Sequence, residues 1–296
     1  MELKPALTYA QQIDRLIEVH NLTINDRTEA EEIIKIVNYY RLSAYGIGLK
    51  KPFDKEQYRD GITLQMLFDL YCFDSQFKNN LIHTIEQLEI QLRTQISNYL
   101  ALKYGPEGYM DSSNFLDIKN RMGKSVHAGV IEHFQSEVKR QKNVPFVKHH
   151  LDKYEGHFPV WVAVELFTFG NLSSLYSIMK AEDQKNIADL YQTKPKYLKS
   201  WILSLVEIRN ICAHYTRLYN LPLKQTPFLY KEHRVYRQQH SNKIFPVLLV
   251  IKRMLNSNSQ WKALLHDICD TIDKYQSVIC FSFMGFPQDW RNILSE

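Results

Sequence analysis

One short stretch of this sequence contains three residue types that could together cleave a phosphodiester bond. Arg209, Asn210 and His214 lie close together, and the arginine and histidine have the spacing Arg-x4-His. An imidazole can take or give a proton near neutral pH, and a guanidinium can hold a phosphate through two hydrogen bonds. The ribose 2′-OH of RNA could then attack the adjacent phosphate, with Arg209 stabilising the charge on the phosphoryl oxygens. Such a reaction requires no metal and no other cofactor.

The Arg-x4-His spacing by itself is weak support for catalysis. The same spacing occurs at Arg15 and His20, where Leu16 follows the arginine in an apolar, acid-flanked segment. We interpret that match as coincidence, because it lacks the polar Asn and the basic surroundings. For Arg209 and His214 the alternative to catalysis is a structural role, in which a partly buried Arg and His form hydrogen bonds between packed helices.

Positive charge is concentrated around the motif. The net charge is +5, yet residues 194–243 contain ten Lys or Arg against two acids, with five tyrosines among them. Basic side chains neutralise phosphates, and aromatic rings stack on single-stranded bases. The segment predicts an RNA-binding surface that includes Lys194, Lys196, Lys199, Tyr215, Arg217, Arg234 and Arg237. The alternative is a solvated basic helix face whose tyrosines are buried.

The composition predicts an all-α protein. Of 296 residues, 45% are apolar and 12% are aromatic, which is enough for a sizeable core. Ten glycines and ten prolines allow few tight turns, so long helices are favoured. One helix should run from about Leu64 to Tyr104 and stop at Gly105-Pro106. Residues 46–61 should form a loop, and no period-2 pattern predicts a strand.

The motif lies within a predicted helix over 196–219. Asn210 and His214 are four residues apart, so they should lie one above the other on the same helix face. Arg217 is three residues beyond His214 and should also lie near that face. The helix would therefore present the candidate catalytic residues together.

A second apolar helix is predicted from Pro159 to Phe169, with Gly170 as its breaker. Trp161 and Phe169 are expected in the core. Glu165 lies among apolar residues, where an unpaired charge is costly, so it could buttress Arg209; an exposed helix edge is the alternative.

Several other features limit where the protein acts. No run approaches about 18 apolar residues, so no membrane span is predicted. The N-terminal residues lack the basic-then-apolar pattern of a signal peptide. The four cysteines form no C-x-x-C pair, which favours reduced thiols over disulfides or a zinc site. We therefore expect a cytoplasmic protein without a metal centre.

The sequence resembles known bacterial families in several segments. Arg209-Asn-Ile-Cys-Ala-His214 resembles the HEPN ribonuclease motif. The wider series resembles the Abi-2 family of abortive-infection proteins, of the AbiD/AbiF type. The segments that carry this resemblance are Asn38-Tyr-Tyr-Arg-Leu-Ser-Ala-Tyr45, Ile85-Glu-Gln-Leu-Glu-Ile-Gln-Leu-Arg93, Phe158-Pro-Val-Trp-Val-Ala-Val-Glu-Leu-Phe-Thr-Phe-Gly170 and Met284-Gly-Phe-Pro-Gln-Asp-Trp290.

This resemblance implies a fold and a biological role. The fold would be a HEPN-like helical bundle with long central helices. An N-terminal helical segment over 1–60 would precede a helical domain over 61–296, unless 1–296 is one continuous domain. The role would be phage defence, through an RNA-cleaving activity that a noncoding RNA or a protein partner restrains in healthy cells.

The resemblance also raises the question of a second half-site. HEPN nucleases usually bring two Arg-x4-His motifs together, and this chain has one good copy. A homodimer would pair two copies of 209–214. Alternatively, the other half could come from the long helix, from Glu89, Arg93 and Asn98, with Asn98 in place of the second histidine. The structural alternative for Glu89 and Arg93 is an ordinary ion pair within a helix. The competing functions are a non-catalytic RNA-binding sensor or scaffold, bound to a noncoding RNA, and a structural interaction protein.

Overall fold

The protein, represented by a computed structural model, is all-α over the described residues 5–239, 242–255 and 257–296, with the backbone alone described for 237–239. Helices make up 63% of the structure, which confirms the predicted fold class. No helix in the described ranges is both long and apolar enough to cross a membrane.

Fourteen α-helices and four short 3-10 helices are present in the described part of the chain. They are α1 (Tyr9–Glu18), α2 (Arg27–Ile36), α3 (Tyr39–Ser43), α4 (Leu64–Tyr104), α5 (Val126–Arg140), α6 (Pro145–Lys153), α7 (Val160–Ala163), α8 (Phe169–Ile178), α9 (Ala181–Asp189), α10 (Pro195–Ala213), α11 (Arg234–Gln239), α12 (Phe245–Met254), α13 (Asn258–Tyr275) and α14 (Trp290–Ser295).

The long helix α4 has the bounds that the sequence predicts. It spans 41 residues without Gly or Pro, and Gly105 follows it in the left-handed region with φ +81°. Glycine takes that conformation without the steric cost that a Cβ adds, so it ends the helix. Apolar residues three or four apart form a buried stripe along α4 that includes Ile85, Leu88, Leu92, Ile96 and Leu100.

The predicted loop over 46–61 contains a small hairpin. Strand β1 (Lys50–Lys51) pairs antiparallel with β2 (Asp54–Tyr58). The strands are too short for an alternating pattern to emerge from the sequence, and Tyr58 is the buried residue of β2. The prediction that the chain forms no strand was therefore wrong for this hairpin.

The predicted helix over 159–169 is divided differently in the structure. Helix α7 ends at Ala163 and passes into a 3-10 turn over Val164–Leu166. The Thr168 side chain then accepts a hydrogen bond from the Asn171 N–H and caps a new helix, so Gly170 lies within α8. A polar N-cap thus overrides the helix-breaking tendency of the glycine.

The chain forms two compact units. The first comprises residues 1–81, 211–222 and 262–296, and the second comprises 82–210 and 223–261. Three of the four boundaries fall inside α4, α10 and α13, and the fourth lies in the loop between Pro222 and Leu223. The domain division predicted from the sequence stays a prediction.

In the first unit, the N-terminal helices pack around an aliphatic core. Ile13 and Leu16 of α1 are buried together with Ile33 and Ile34 of α2 and Leu67 of α4. Helix α2 is capped by Asp26, whose carboxylate accepts hydrogen bonds from the backbone N–H groups of Thr28 and Glu29. These contacts stabilise the unit that contains the last part of the motif, residues 211–214.

In the second unit, an aromatic cluster forms the centre. The Phe134 ring of α5 lies 5.7 Å from Tyr109, 5.6 Å from Phe158 and 5.8 Å from Phe167, all edge to face. Aromatic rings favour this geometry because the positive edge of one meets the negative face of the next. The cluster fixes the segment before α8, whose Val164 and Phe167 carbonyls accept hydrogen bonds from Arg93.

Candidate active site

Arg209 and Asn210 belong to the second unit, near the end of α10. The Nε of Arg209 lies 3.3 Å from Oε2 of Glu89, and its side chain is 33% exposed. Asn210 is exposed. Because the Glu89 carboxylate contacts Nε, it holds the Arg209 guanidinium from one side. Part of the Arg209 side chain remains accessible to solvent.

Glu89 is a buried carboxylate shared by two arginines. It accepts a hydrogen bond from Nη2 of Arg93, one turn further along α4. Nη1 of Arg93 donates to the backbone carbonyls of Val164 and Phe167, the latter at 2.7 Å. The pair is therefore more than a surface helix pair, because it orients Arg209 and joins α4 to the turn before α8.

The structure brings two of the three second-half-site residues to Arg209 and leaves the third apart. Glu89 and Arg93 form one cluster with Arg209. Asn98 is exposed and lies more than a turn beyond Arg93 on α4. Arg93 is committed to backbone carbonyls, which limits its capacity to bind a phosphate.

Glu165 does not have the buttressing role considered for it. It is exposed, and Glu89 is the carboxylate that contacts Arg209. Phe169 is buried as expected, but Trp161 is 52% exposed, so its assignment to the core was wrong. The pattern of apolar neighbours suggested burial for both aromatic residues, and only packing separates them.

His214 belongs to the first unit and lies just beyond α10. The helix ends at Ala213, so the predicted extent to 219 was wrong. The Thr216 N–H donates to the Ile211 carbonyl at 3.0 Å and the Tyr215 N–H donates to the Cys212 carbonyl at 3.2 Å. Together with φ +54° at Tyr215, these bonds form a Schellman motif in which His214 is the C-cap.

The segment after His214 is anchored by a buried carboxylate. Asp74 accepts hydrogen bonds from the backbone N–H groups of Leu218 at 3.0 Å and Tyr219 at 2.7 Å, and from the Tyr45 hydroxyl at 2.8 Å. Lys78 pairs with Asp74 at 3.0 Å and donates to the Thr216 carbonyl at 2.9 Å. The backbone is thus held firmly while the His214 side chain is exposed.

Arg41 is a basic residue at this site that the sequence analysis did not assign. Its Nη1 and Nη2 donate to the Tyr215 carbonyl at 3.0 and 3.1 Å, directly after His214. Arg41 lies within the segment Asn38–Tyr45 that carries part of the family resemblance, but nothing in the local pattern connects it with residue 215. Only the packing within the first unit does so.

The two other residues predicted here to bind RNA differ in accessibility. Tyr215 is 73% exposed. Arg217 is half-buried, and its Nη1 atom is buried with no hydrogen-bond partner within the described residues. Burial lowers the pKa of this guanidinium, because desolvation disfavours the charged form. Tyr215 is therefore the more accessible of the two.

The remaining basic residues of the segment lie in the second unit. Lys194, Lys196 and Lys199 are exposed at the start of α10, and Arg234 is exposed at the start of α11. The ammonium of Lys196 lies 5.7 Å from the ring centroids of Tyr197 and Phe228. Four exposed cations are consistent with either the RNA surface or the solvated face. Arg237 lies in α11, but its side chain is outside the described residues.

Most of the tyrosines in the basic segment serve packing. The rings of Tyr197 and Tyr230 stack on each other at 4.5 Å, with Arg253 4.6 Å from the Tyr230 ring. Tyr219 is buried, and Tyr236 packs edge to face on Phe245 at 5.5 Å. Tyr215 alone among the five is a largely exposed ring, so stacking on bases would depend on it.

The candidate residues therefore offer two chemistries, one in each unit. The second unit presents an arginine positioned by a buried carboxylate, and the first presents an exposed imidazole on an anchored C-cap. A guanidinium binds phosphate, and an imidazole transfers protons. Over the described ranges, no group of three His, Cys, Asp or Glu side chains could hold a metal ion.

Comparison with known proteins gives one match. No curated protein and no solved structure is significantly similar to the chain. A family model described as Abi-like protein matches residues 32–220, which is 189 of the 296 residues. The match includes α4 with Glu89 and Arg93, and α10 with Arg209 and the following His214. The chain therefore belongs to the Abi-like protein family.

Proposed function

We propose that this protein is a metal-independent endoribonuclease of abortive infection, with Arg209, Asn210 and His214 as its catalytic residues. Membership of the Abi-like family supports a role in abortive infection, a form of phage defence. The observation that supports catalysis best is the exposure of His214 on an anchored C-cap. A histidine that only joined packed helices would be buried, so this exposure argues against the structural alternative.

The proposed reaction is attack by a ribose 2′-OH on the adjacent phosphorus. The 2′-oxygen forms a bond to phosphorus as its proton leaves, and the bond from phosphorus to the 5′-oxygen breaks. The 5′-oxygen takes up a proton, so the products are a 2′,3′-cyclic phosphate and a 5′-OH. His214 transfers a proton, Arg209 neutralises charge on the phosphoryl oxygens, and Asn210 positions either group.

A homodimer is the simplest source of the second half of such a site. The reaction removes one proton and delivers another, and each chain supplies one Arg-x4-His histidine. Arg93 is tied to the Val164 and Phe167 carbonyls, which makes it a poorer second half. We therefore favour two chains that each contribute residues 209–214, in the cytoplasm, with no cofactor.

RNA is the favoured restraining partner. Lys194, Lys196 and Lys199 are exposed near one another along the chain, where they could neutralise phosphates of a structured RNA. An antitoxin protein would need to cover the same charge with acidic residues.

The decisive experiment is cleavage of end-labelled RNA in EDTA by purified protein freed of bound nucleic acid. We expect cyclic phosphate ends and a loss of at least about 100-fold in rate for His214→Ala. His266→Ala is the matched control, since His266 is an exposed histidine of the same unit outside the motif, and it should cleave like the parent. Equal rates for both variants would refute the catalytic role of His214.

A non-catalytic RNA sensor is the alternative function, and the exposed lysines favour it equally. It predicts RNA affinity that falls steeply with salt, with no cleavage under any condition. In that case His214→Ala would leave affinity nearly unchanged, and substituting Lys194, Lys196 and Lys199 together by Gln would weaken it.

A further inference from the structure

A surface cavity of the second unit lies outside the candidate motif. Its volume is about 390 Å³, and its lining includes Glu107, His150, Tyr154, His157 and Trp161, with two prolines. A volume of this size is typical of sites for small planar ligands. None of these residues has a role in the proposed cleavage.

Two large aromatic side chains of this cavity are exposed, and the exposure of Trp161 is unusual for a tryptophan of this chain. Trp161 is 52% exposed and Tyr154 is 46% exposed. The other tryptophans, Trp201, Trp261 and Trp290, are all at most 5% exposed. Leaving an indole in water forgoes the free energy that its burial would provide, so an exposed indole beside a cavity indicates a ligand that covers it.

The walls of the cavity are fixed by hydrogen bonds and by ring stacking. The Val160 N–H donates to the Pro106 carbonyl at 2.7 Å, and the Tyr109 hydroxyl donates to the Phe158 carbonyl at 2.9 Å. The His150 ring stacks on buried Phe158 at 5.0 Å with an interplanar angle of 18°. The cavity is therefore preformed, which lowers the entropy cost of binding.

The polar atoms of the cavity are mainly hydrogen-bond acceptors. The Nδ1 of His157 lies 2.8 Å from Oε1 of Glu107, which is the acceptor of that bond. The Nδ1 of His150 lies 2.8 Å from the Phe146 carbonyl, which can only accept, so Nδ1 donates this bond and Nε2 is the ring nitrogen that is left to accept one. An amino group on the ligand would satisfy these atoms.

The stretch of sequence that contains His150, Tyr154 and His157 is basic. Residues 139–157 contain five Lys or Arg against two acids, together with three histidines. The Lys153 ammonium lies 5.4 Å from the Tyr154 ring centroid. A phosphate attached to a ligand in the cavity would meet favourable charge at this side.

We propose that this cavity binds one unpaired RNA base, stacked on Trp161, and prefers bases with an exocyclic amino group. Aromatic side chains of this kind hold splayed-out bases in RNA-binding proteins, and carboxylates accept from base amino groups. Uracil has carbonyl oxygens and, unlike adenine and cytosine, no exocyclic amino group. A bound uracil would therefore place its carbonyl oxygens against the hydrogen-bond acceptors of the cavity. The cavity would select the RNA that the motif cleaves, and in this respect the inference depends on the proposed function.

The test uses the full-length chain with His214→Ala, so that RNA stays intact, and single-stranded decamers of A, C and U. We expect A and C decamers to quench tryptophan fluorescence and to bind more tightly than U. Adding Trp161→Ala should weaken A and C binding by about 5- to 150-fold, which corresponds to one stacked base. Trp161→Phe should keep most of the affinity and lose the fluorescence response, since it retains a ring.

Leu102→Ala, an exposed apolar side chain of the same unit, is the matched control and should bind like the parent. Unchanged affinity in Trp161→Ala, while the parent still cleaves RNA in a His214-dependent way, would overturn the base site and leave the proposed function intact. Quenching by a trimethyl-lysine peptide but by no decamer would also overturn it, in favour of a cation site. If no decamer binds even at low salt and the parent cleaves nothing, the proposed function fails first and the base site fails with it.

Discussion

Glu89 should be a sensitive polar position of the second unit, and Glu89→Gln is the substitution that tests it. The change keeps the size of the side chain and removes its charge. Two arginines would then lie beside a neutral amide, with Arg93 almost buried. The structure predicts both a loss of stability and a loss of the contact that orients Arg209.

The size of the effect follows from the contacts of each arginine. Removing one partner of a buried ion pair costs about 3–5 kcal/mol. In the variant, Arg93 keeps its hydrogen bonds to the Val164 and Phe167 carbonyls, and water reaches Arg209, whose side chain is one-third exposed. Both contacts reduce the free-energy cost of losing the carboxylate. We therefore expect the free energy of unfolding to fall by about 2–3 kcal/mol.

The assay is urea unfolding followed by tryptophan fluorescence, because Trp161, Trp201 and Trp261 all lie in the second unit. With a slope of about 3 kcal/mol/M, the midpoint should fall by about 0.7–1 M. The matched control is Glu137→Gln on α5, whose partner Arg140 is 71% exposed. A surface pair of this kind contributes about 1 kcal/mol or less, so the control midpoint should fall by about 0.3 M or less.

Equal shifts for the two variants would refute the argument that Glu89 is a buried anchor. A double-mutant cycle adds a second check, since Glu89 should couple more strongly to Arg93 than to Arg209, whose Nε contact is longer and wetter. Coupling to Arg209 alone would mean that the buried pair on α4 contributes little. Below its melting temperature, Glu89→Gln should also cleave RNA more slowly than Glu137→Gln.

Three further predictions concern the first unit. Asp74→Ala leaves Lys78 buried without its partner and two backbone N–H groups without their acceptor, so the free energy of unfolding should fall by about 3–5 kcal/mol. Hydrogen exchange at the Leu218 amide should also become faster, through local opening. Exchange protection equal to that of the parent would contradict the anchoring role of Asp74. Burial raises the pKa of the Cys212 thiol to about 12, whereas an unfolded thiol ionises near 8.5, so the free energy of unfolding should fall as pH rises above about 9. Cys212→Ala should make this fall smaller, and an unchanged pH profile would argue against it. Arg41→Lys retains the charge but not the double hydrogen bond to the Tyr215 carbonyl, so the rate of RNA cleavage should fall several-fold with little change in melting temperature. A cleavage rate equal to the parent's would show that Arg41 does not contribute to the site.

Local patterns in the sequence determined the bounds of α4 and singled out the candidate motif. The run without Gly or Pro before Gly105 set the bounds of α4, because helix breakers act on adjacent backbone groups. The same local information located Arg209, Asn210 and His214 in a helical, basic segment, although it extended the helix to residue 219. It failed at Gly170 and at Ala213, where side-chain caps and a left-handed tyrosine decide the ends of helices.

Tertiary packing decided which residues meet and which face water. Glu89 reaches Arg209 across 120 positions of sequence, and Arg41 reaches Tyr215 across 174. No periodicity encodes such pairs, because a long-range contact depends on how separate helices pack and not on the spacing within either. Exposure has the same origin: Trp161 and Phe169 occur in one apolar run, and only the packing of α7 and α8 leaves the first in water beside a cavity and buries the second.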